Sequence, residues 1–300
     1  MSDRAEHKPV LVTTLAEQIQ IPPDGVMVDA TIGQGGHSYL FGQLLSSRGL
    51  LIGFDVDEKS IDEARERLKG LNCRIILVCE NFSRIKEKLE ELGAGKADFI
   101  LADLGISSGQ LSDLQMGLSF QQDSPLDMRI DKRLERTAAD IINYTDEKAL
   151  ADLIYKYGED RASRRIARFI AESRKKQKVA TTGQLANIVS RALSRRGGAG
   201  LRRIHPATRT FLALRIAVNN ELENLGKLLD AGPDVLKKGG KIAVISYQSL
   251  EDRMVKVNFR KNRKEVIYKL ITEKPIVPER QEIIENIRAR SAKLRIAERQ

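Results

Sequence analysis

Apolar positions in the first third of the chain fall in four short runs, at 26–32, 50–56, 73–79 and 97–104, separated by stretches of helical period at 36–47, 58–69 and 82–92. Short, nearly continuous apolar runs suit strands buried on both faces, and strand–helix alternation predicts a mostly parallel sheet covered on both sides. After Leu104 the period changes. Amphipathic stretches follow at 137–143, 146–157, 161–174 and 182–195. In the third of these, Ala162, Ile166, Phe169 and Ile170 form one apolar stripe, and Arg161, Arg164, Arg165 and Arg168 take the other faces. Gly197–Gly200 reads as a flexible loop with basic flanks. Strand–helix alternation then returns, with a helix over 208–230, a strand over 241–246 and strand-like runs at 266–271 and 293–297. The pattern predicts one α/β domain of Rossmann-like type built from 1–112 and 207–300, interrupted by a helical insertion at 113–206.

Charge sharpens that division. Between Arg161 and Arg203 stand thirteen basic residues and one acid, Glu172, a net +12, whereas the whole chain carries +10. Everything else therefore sums to −2. A solvated helix face usually intersperses acids with its bases. A basic block without them, on an otherwise near-neutral chain, is the footprint expected for a polyanion. Other composition features narrow the field. Cys73 and Cys79 lie six residues apart on one expected strand, so they share a face, cannot bridge, and read as reduced core residues of a cytoplasmic protein. No signal-peptide pattern opens the chain and no apolar run reaches membrane-spanning length, so no membrane partner is expected. Three histidines, His7, His37 and His205, without a cysteine cluster argue against a structural metal. Monomer and homodimer both stay open.

The most informative stretch is Val26-Met-Val-Asp-Ala-Thr-Ile-Gly-Gln-Gly-Gly-His-Ser38. An apolar run ends in Asp29, a turn follows with Gly33, Gly35 and Gly36, and a helical segment begins. Strand, tight turn and helix N-terminus bring backbone N–H groups toward a nucleoside ligand. Glycine suits the turn because a Cβ would hold the ligand off and because φ > 0 can be required. Asp55, closing the next run, stands where ribose hydroxyls are bound. The dinucleotide spacing Gly-x-Gly-x-x-Gly fails at Ser38, which makes a nicotinamide oxidoreductase the weakest rival. No lysine follows the glycines, so a Walker phosphate loop is excluded. Asp-x-x-x-Gly-x-Gly-Gly looks instead like the first motif of S-adenosylmethionine-dependent methyltransferases.

Asp103 closes the fourth run. Carboxyl ends of central strands form the ligand crevice of an open α/β sheet, so Asp103 is placed where cofactor and target meet, free to accept hydrogen bonds from an amine. Phe82, after the third run, is placed to pack on an adenine ring; a core role is the competing reading.

Five ordered motifs then match a known family: Asp29-Ala-Thr-Ile-Gly-Gln-Gly-Gly-His-Ser38, Asp103-Leu-Gly-Ile-Ser-Ser108, Ser124-Pro-Leu-Asp-Met-Arg129, His205-Pro-Ala-Thr-Arg-Thr-Phe211 and Ser249-Leu-Glu-Asp-Arg253. With the ending Leu294-Arg-Ile-Ala-Glu-Arg299, the chain resembles the bacterial 16S ribosomal RNA (cytosine-N4)-methyltransferase H family, also called MraW, over nearly its whole length. The resemblance implies a class I S-adenosylmethionine-dependent methyltransferase fold with an inserted helical domain. It implies methylation of a cytidine N4 in the decoding region of the small ribosomal subunit, cytidine 1402 in the family's ribosomal numbering. Carried over by motif, cofactor contacts are Gly33, Gly35, Gly36, His37, Asp55, Phe82, Asp103 and Gln110, with His37 acting mainly through its backbone N–H. Asp103 is the catalytic candidate.

Three positions depart from the family pattern. Gly109 stands for a usual proline, which should loosen the loop carrying Gln110. Ser124 stands for glycine and Gln248 for histidine. A glutamine keeps a hydrogen bond but cannot accept a proton. The Pro-Pro-aromatic motif of many amino-methyltransferases is missing after Asp103, so the base must be gripped from elsewhere. The candidates are Arg129, His205, Arg209, Tyr247, Gln248 and Arg253; an Asp127–Arg129 ion pair is the plainer reading of one of them. A flipped-out cytidine favours single-stranded RNA or an assembled subunit as substrate. The competing classes are a DNA amino-methyltransferase and a non-catalytic RNA-binding assembly factor.

Overall fold

The computed structural model describes residues 9–194 and 205–300. Arg195, Arg196, Arg202 and Arg203 of the basic block, and the Gly197–Gly200 loop, lie outside the described residues. In chain order the first elements are α1 (Val12–Gln18), β1 (Val26–Asp29), α2 (Gly36–Gly42), β2 (Leu50–Asp55), α3 (Glu58–Leu68), β3 (Arg74–Cys79), α4 (Ile85–Glu91) and β4 (Ala97–Asp103). A helical series follows: α5 (Ser108–Ser112), α6 (Ala138–Tyr144), α7 (Glu147–Gly158), α8 (Ser163–Arg174), α9 (Thr182–Leu193) and α10 (Thr208–Val218). The last elements are α11 (Glu221–Val235), β5 (Leu236–Ser246), α12 (Ser249–Lys264), β6 (Tyr268–Leu270), α13 (Arg280–Glu285) and β7 (Lys293–Arg299).

The chain divides into two compact units. One ends at Gly105 and resumes at Leu222; the other is Ile106–Glu221. The first holds a seven-stranded sheet of order β3-β2-β1-β4-β5-β7-β6. Pairings from β3 through β5 are parallel, and β7 is antiparallel to both β5 and β6. The chain winds outward from β1 to β2 and β3, then crosses back to β4. The β1–β4 boundary is the switch point where an α/β sheet opens a crevice. Successive residues serve opposite layers: Met27, Leu51, Phe99 and Leu101 pack on one face, Val28, Ile52 and Ile100 on the other. Both faces are fully buried, which is why these strands read as unbroken apolar runs.

The helical unit has its own core, with Ile142, Leu150, Ile154, Ile166, Ile170, Leu185 and Leu214 all fully buried. Four of its helices, α5, α6, α7 and α9, start on side-chain caps, such as Thr137 with Asp140 and Thr181 with Gln184 in reciprocal capping boxes. The single helix expected over 208–230 is two. Asn219 and Asn220 break it, Asn220 with φ 51°, while the Asn219 side chain donates to the Met128 carbonyl and accepts from the Ile130 N–H. α10 packs on α7, so the units part at Glu221/Leu222 and Gly105/Ile106, whereas the sequence pattern places the divisions at 206/207 and 112/113. The strand expected at 241–246 begins earlier, at Leu236, because a register shift between Ala97 and Phe99 lets it pair along β4. Cys73 sits just before β3, not on it, and no disulfide joins it to Cys79.

Candidate active site

In the sheet-bearing unit the glycine turn, Asp55 and Asp103 collect at the carboxyl edge of β1, β2 and β4. Asp29 is 2% exposed and serves the turn itself: one oxygen accepts from the Thr31 N–H (3.1 Å), the other from the Ser38 hydroxyl (2.7 Å). Burial pushes its carboxyl above the ordinary range, against the pull of the Ser38 bond and of nearby His37. Gly33 (φ 49°) and Gly35 (φ 75°) occupy the left-handed region, and Gly35 is the residue from which α2 starts. A Cβ on Gly36 would stand 2.8 Å from Pro9 Cγ, so the N-terminal segment walls the turn.

Asp55 is tied to that turn across 22 residues. Its Oδ2 accepts from the Gly33 N–H and its Oδ1 from the Asp57 N–H, both at 3.0 Å. Each oxygen keeps a lone pair for a hydroxyl, which suits a ribose diol. Burial outweighs these bonds and pushes the carboxyl up to about 6. Phe82, in a short 3-10 turn at Phe82–Arg84, is half-buried against the layer containing Val28 and Ile85. It therefore has a core side as well as an open one.

Asp103 has one oxygen, Oδ1, buried with no hydrogen-bond partner; the other lies 3.9 Å from His37 Nδ1. Its backbone N–H donates to Thr31 Oγ1 at 2.7 Å, locking β4 to the turn. The His37 imidazole is buried, and its Nε2 donates to the Val10 carbonyl at 2.8 Å. The family resemblance implies a role for His37 through its backbone; the side chain is an anchor between the N-terminal segment and Asp103. Tyr247 lies over Gly105, where a Cβ would come within 2.9 Å of the ring. Burial, the adjoining Asp103 carboxylate and a hydrogen bond donated to that carboxylate hold its hydroxyl firmly protonated. Glu251 accepts from the Tyr247 N–H (2.9 Å), the Gln248 N–H (3.2 Å) and Gln248 Nε2 (2.9 Å), while Gln248 Oε1 is buried without a partner. Arg253 stands exposed on the first turns of α12.

Three contributors escaped the sequence reading: Thr31, Val10 and Glu251. Thr31 and Glu251 sit inside motifs already noted, so their signal was present but their role was not. Nothing local flags Val10, because its segment is fixed by the Leu11 N–H donating to Glu282 Oε1 across 271 residues.

The remaining candidates belong to the helical unit. Gln110 is buried in a capping box, its Oε1 accepting from the Ser107 N–H (3.0 Å) and its own N–H donating to Ser107 Oγ (3.1 Å). The box fixes the turn that glycine at 109 was expected to loosen. Arg129 grips Asp127 with two nitrogens (2.8 and 3.0 Å) and donates to the Leu134 carbonyl (2.7 Å), so the plain ion-pair reading describes its present contacts. Burial would raise the Asp127 carboxyl, but Arg129 holds it below its usual range. Ser124 is buried and bonded to Thr182 Oγ1 at 3.1 Å. His205 is exposed, stacks on Phe120 at 4.6 Å, and accepts the Ala207 N–H at Nδ1, which leaves Nε2–H outward. Arg209 is exposed and donates to the Glu159 carbonyl (3.2 Å). Between α8 and α9 a cavity of about 390 Å³ is lined by Phe169, Lys176, Lys178, Asn187 and Arg191. Arg174, counted in the basic block, is instead a staple: its Nη1 donates to the carbonyls of Ile142 and Thr145. Among the described residues no group of three His, Cys, Asp or Glu side chains is disposed to hold a metal, and no helix is long and apolar enough to cross a membrane.

A mostly parallel seven-stranded sheet, a glycine turn after β1, an acid closing β2 and another closing β4 define a class I methyltransferase, the fold class whose methyl donor is S-adenosylmethionine. The chain belongs to the MraW methylase family, whose family model matches residues 4–300. It is 44% identical over 308 residues to the ribosomal RNA small subunit methyltransferase H of Clostridioides difficile, covering 98% of each chain. Its identity to the protein of the same name from Acidobacterium capsulatum is also 44%, over 99% of each chain. Among solved structures, an rRNA methylase from Streptococcus thermophilus aligns at TM-score 0.45 and 12% identity, covering 98% of this chain and 99% of that one.

Proposed function

We propose that this chain transfers the methyl group of S-adenosylmethionine to the N4 amine of a cytidine in the decoding region of 16S rRNA. The observation that carries this reading is Asp103, with its buried, unpaired Oδ1 beside the glycine cradle. An acceptor oxygen left open beside the cradle is a place where an incoming N–H donor can bind. The names of the relatives, ribosomal RNA small subunit methyltransferase H, support the rRNA substrate.

The cradle suits the cofactor: Gly33 and Gly35 expose backbone, and Asp55 presents two acceptor oxygens for a ribose. When bound, S-adenosylmethionine supplies a methyl carbon made electrophilic by a cationic sulfur, so no metal is required. The chain's own task is to prepare the nucleophile. The N4 lone pair of cytosine is delocalised into the ring. A carboxylate accepting one N4–H draws the nitrogen toward tetrahedral geometry and fixes its direction of attack. Positioning and electrostatics supply most of the gain. The proton left on the methylated amine is acidic and passes to water, so Asp103 need not be a strong base. Gln248 adds an acceptor that cannot take a proton. In the helical unit the exposed bases of α8 and α9, with His205 and Arg209, grip RNA phosphates.

The test is methyl transfer from labelled cofactor to small ribosomal subunits, to naked 16S rRNA and to DNA, followed by mass spectrometry of the nucleosides. N4-methylcytidine in the ribosomal substrates is the expected product. Label only in DNA, or on a carbon of the base, overturns the assignment.

A further inference from the structure

We infer that the outward face of α12 is a second phosphate-binding surface, a track for the RNA strand that flanks the target nucleotide. This inference rests on the RNA substrate proposed above and adds a contact from the sheet-bearing unit, outside the basic block of the insertion.

α12 turns Glu251, Val255, Phe259 and Asn262 inward, where all four are buried. That spacing leaves one continuous opposite face, on which Arg253, Val257, Arg260, Lys261 and Lys264 are exposed, with Lys256 half-exposed beside them. The acids of the first turn are used elsewhere. Glu251 caps Tyr247 and Gln248, and Asp252 binds Arg295 (2.7 Å) and Lys293 (3.6 Å). Arg263 is matched by Glu273. Among the described residues, Lys256, Arg260, Lys261 and Lys264 have no carboxylate partner.

Favourable interaction with the helix C-terminus accounts for bases in the last turn, Lys261 and Lys264. It does not account for Lys256 and Arg260, further back. The face also starts in the right place. Ile245 of β5 pairs with Asp103, Ser246 ends the strand, and α12 begins at Ser249. From Arg253 to Lys264 the row extends about 17 Å, at about 1.5 Å per residue, away from the carboxyl edge where the target amine must sit. A single apolar residue, Val257, interrupts it, too little for insertion into a lipid surface. A row of cations leading from a base-modifying site, in which Lys256, Arg260, Lys261 and Lys264 have no carboxylate partner among the described residues, has the charge and direction to follow a phosphodiester backbone.

The experiment compares the wild type with the full-length triple variants R260Q/K261Q/K264Q and R260E/K261E/K264E. The control is K96E/K238E, two exposed lysines beside the opposite ends of β4 and β5. Affinity for a 16S decoding-region RNA is measured across a salt series, with cofactor affinity and melting temperature alongside. Removing three phosphate contacts should lower the slope of log affinity against log salt by about 2, from a contribution of about 0.7 per contact on single strands. The charge-reversed variant should bind RNA at least tenfold more weakly, with cofactor affinity within twofold of wild type and less than twofold loss of RNA affinity in the control. Unchanged RNA affinity and slope in a folded triple variant overturn the inference. So does equal loss in the control. A wild type that binds and methylates RNA while the triple variants match it overturns this inference alone; a wild type with no RNA affinity overturns the substrate reading too.

Discussion

At the scale of single residues the site is a set of acceptors held by backbone. Asp103→Ala should leave cofactor affinity within a few-fold and lower the methyl-transfer rate by about a hundredfold or more, the scale of losing one preorganised electrostatic contact. Isothermal titration with cofactor, beside single-turnover labelling of RNA, separates the two effects. Asp55 gives a pH signature. Burial raises its carboxyl to about 6, and the ionised form is the one with both oxygens available to ribose hydroxyls. Cofactor affinity should therefore be full above pH 7 and fall as pH drops through 6, by about tenfold at pH 5. Asp55→Asn should flatten that profile. Gly36→Ala drives a methyl group toward Pro9, 2.8 Å away, and should cost about 1–3 kcal/mol of stability. The glycines and both acids were legible in the sequence, because strand ends and tight turns leave local signatures. That Asp29 is occupied by Thr31 and Ser38, and Asp55 by the Gly33 N–H, was not, since acid and partner look alike whether they bind a ligand or each other.

Among elements, the helical unit shows how a motif is divided between support and function. Arg129→Ala strips Asp127 of its two-pronged partner and leaves the Leu134 carbonyl without that donor. Both side chains of the pair are less than a quarter exposed. The variant should lose about 1–3 kcal/mol of stability, visible as a lower melting temperature, with cofactor affinity of the folded protein unchanged. Arg174 is a similar case: charge counting placed it among RNA contacts, but its guanidinium closes the end of α6. The α10–α11 break was illegible for a physical reason. Apolar periodicity runs through 208–230, and only the tertiary bonds of Asn219 to Met128 and Ile130 favour interruption. α12 shows the opposite failure. Its bases are plain in the sequence, yet acids nearby in sequence, Glu251 and Asp252, offset part of them in any running sum. Only the folded helix reveals that those acids turn inward.

For the whole molecule, RNA affinity should fall steeply with salt, because each phosphate contact proposed for α8, α9 and α12 would release counterions. Binding indifferent to salt between 50 and 200 mM, in a filter-binding assay, is the contrary result. The discontinuous unit has a further consequence, in the order of synthesis. β4 emerges as an unfinished border of the sheet, and its neighbour β5 follows only after the entire Ile106–Glu221 unit has been made. During translation the helical unit, rich in local contacts, can close first, while the nascent strands wait with one border unsatisfied. A fragment ending at Gly105 should therefore self-associate, and interruption late in synthesis should prove far more harmful than one falling between the two units' own contacts suggests.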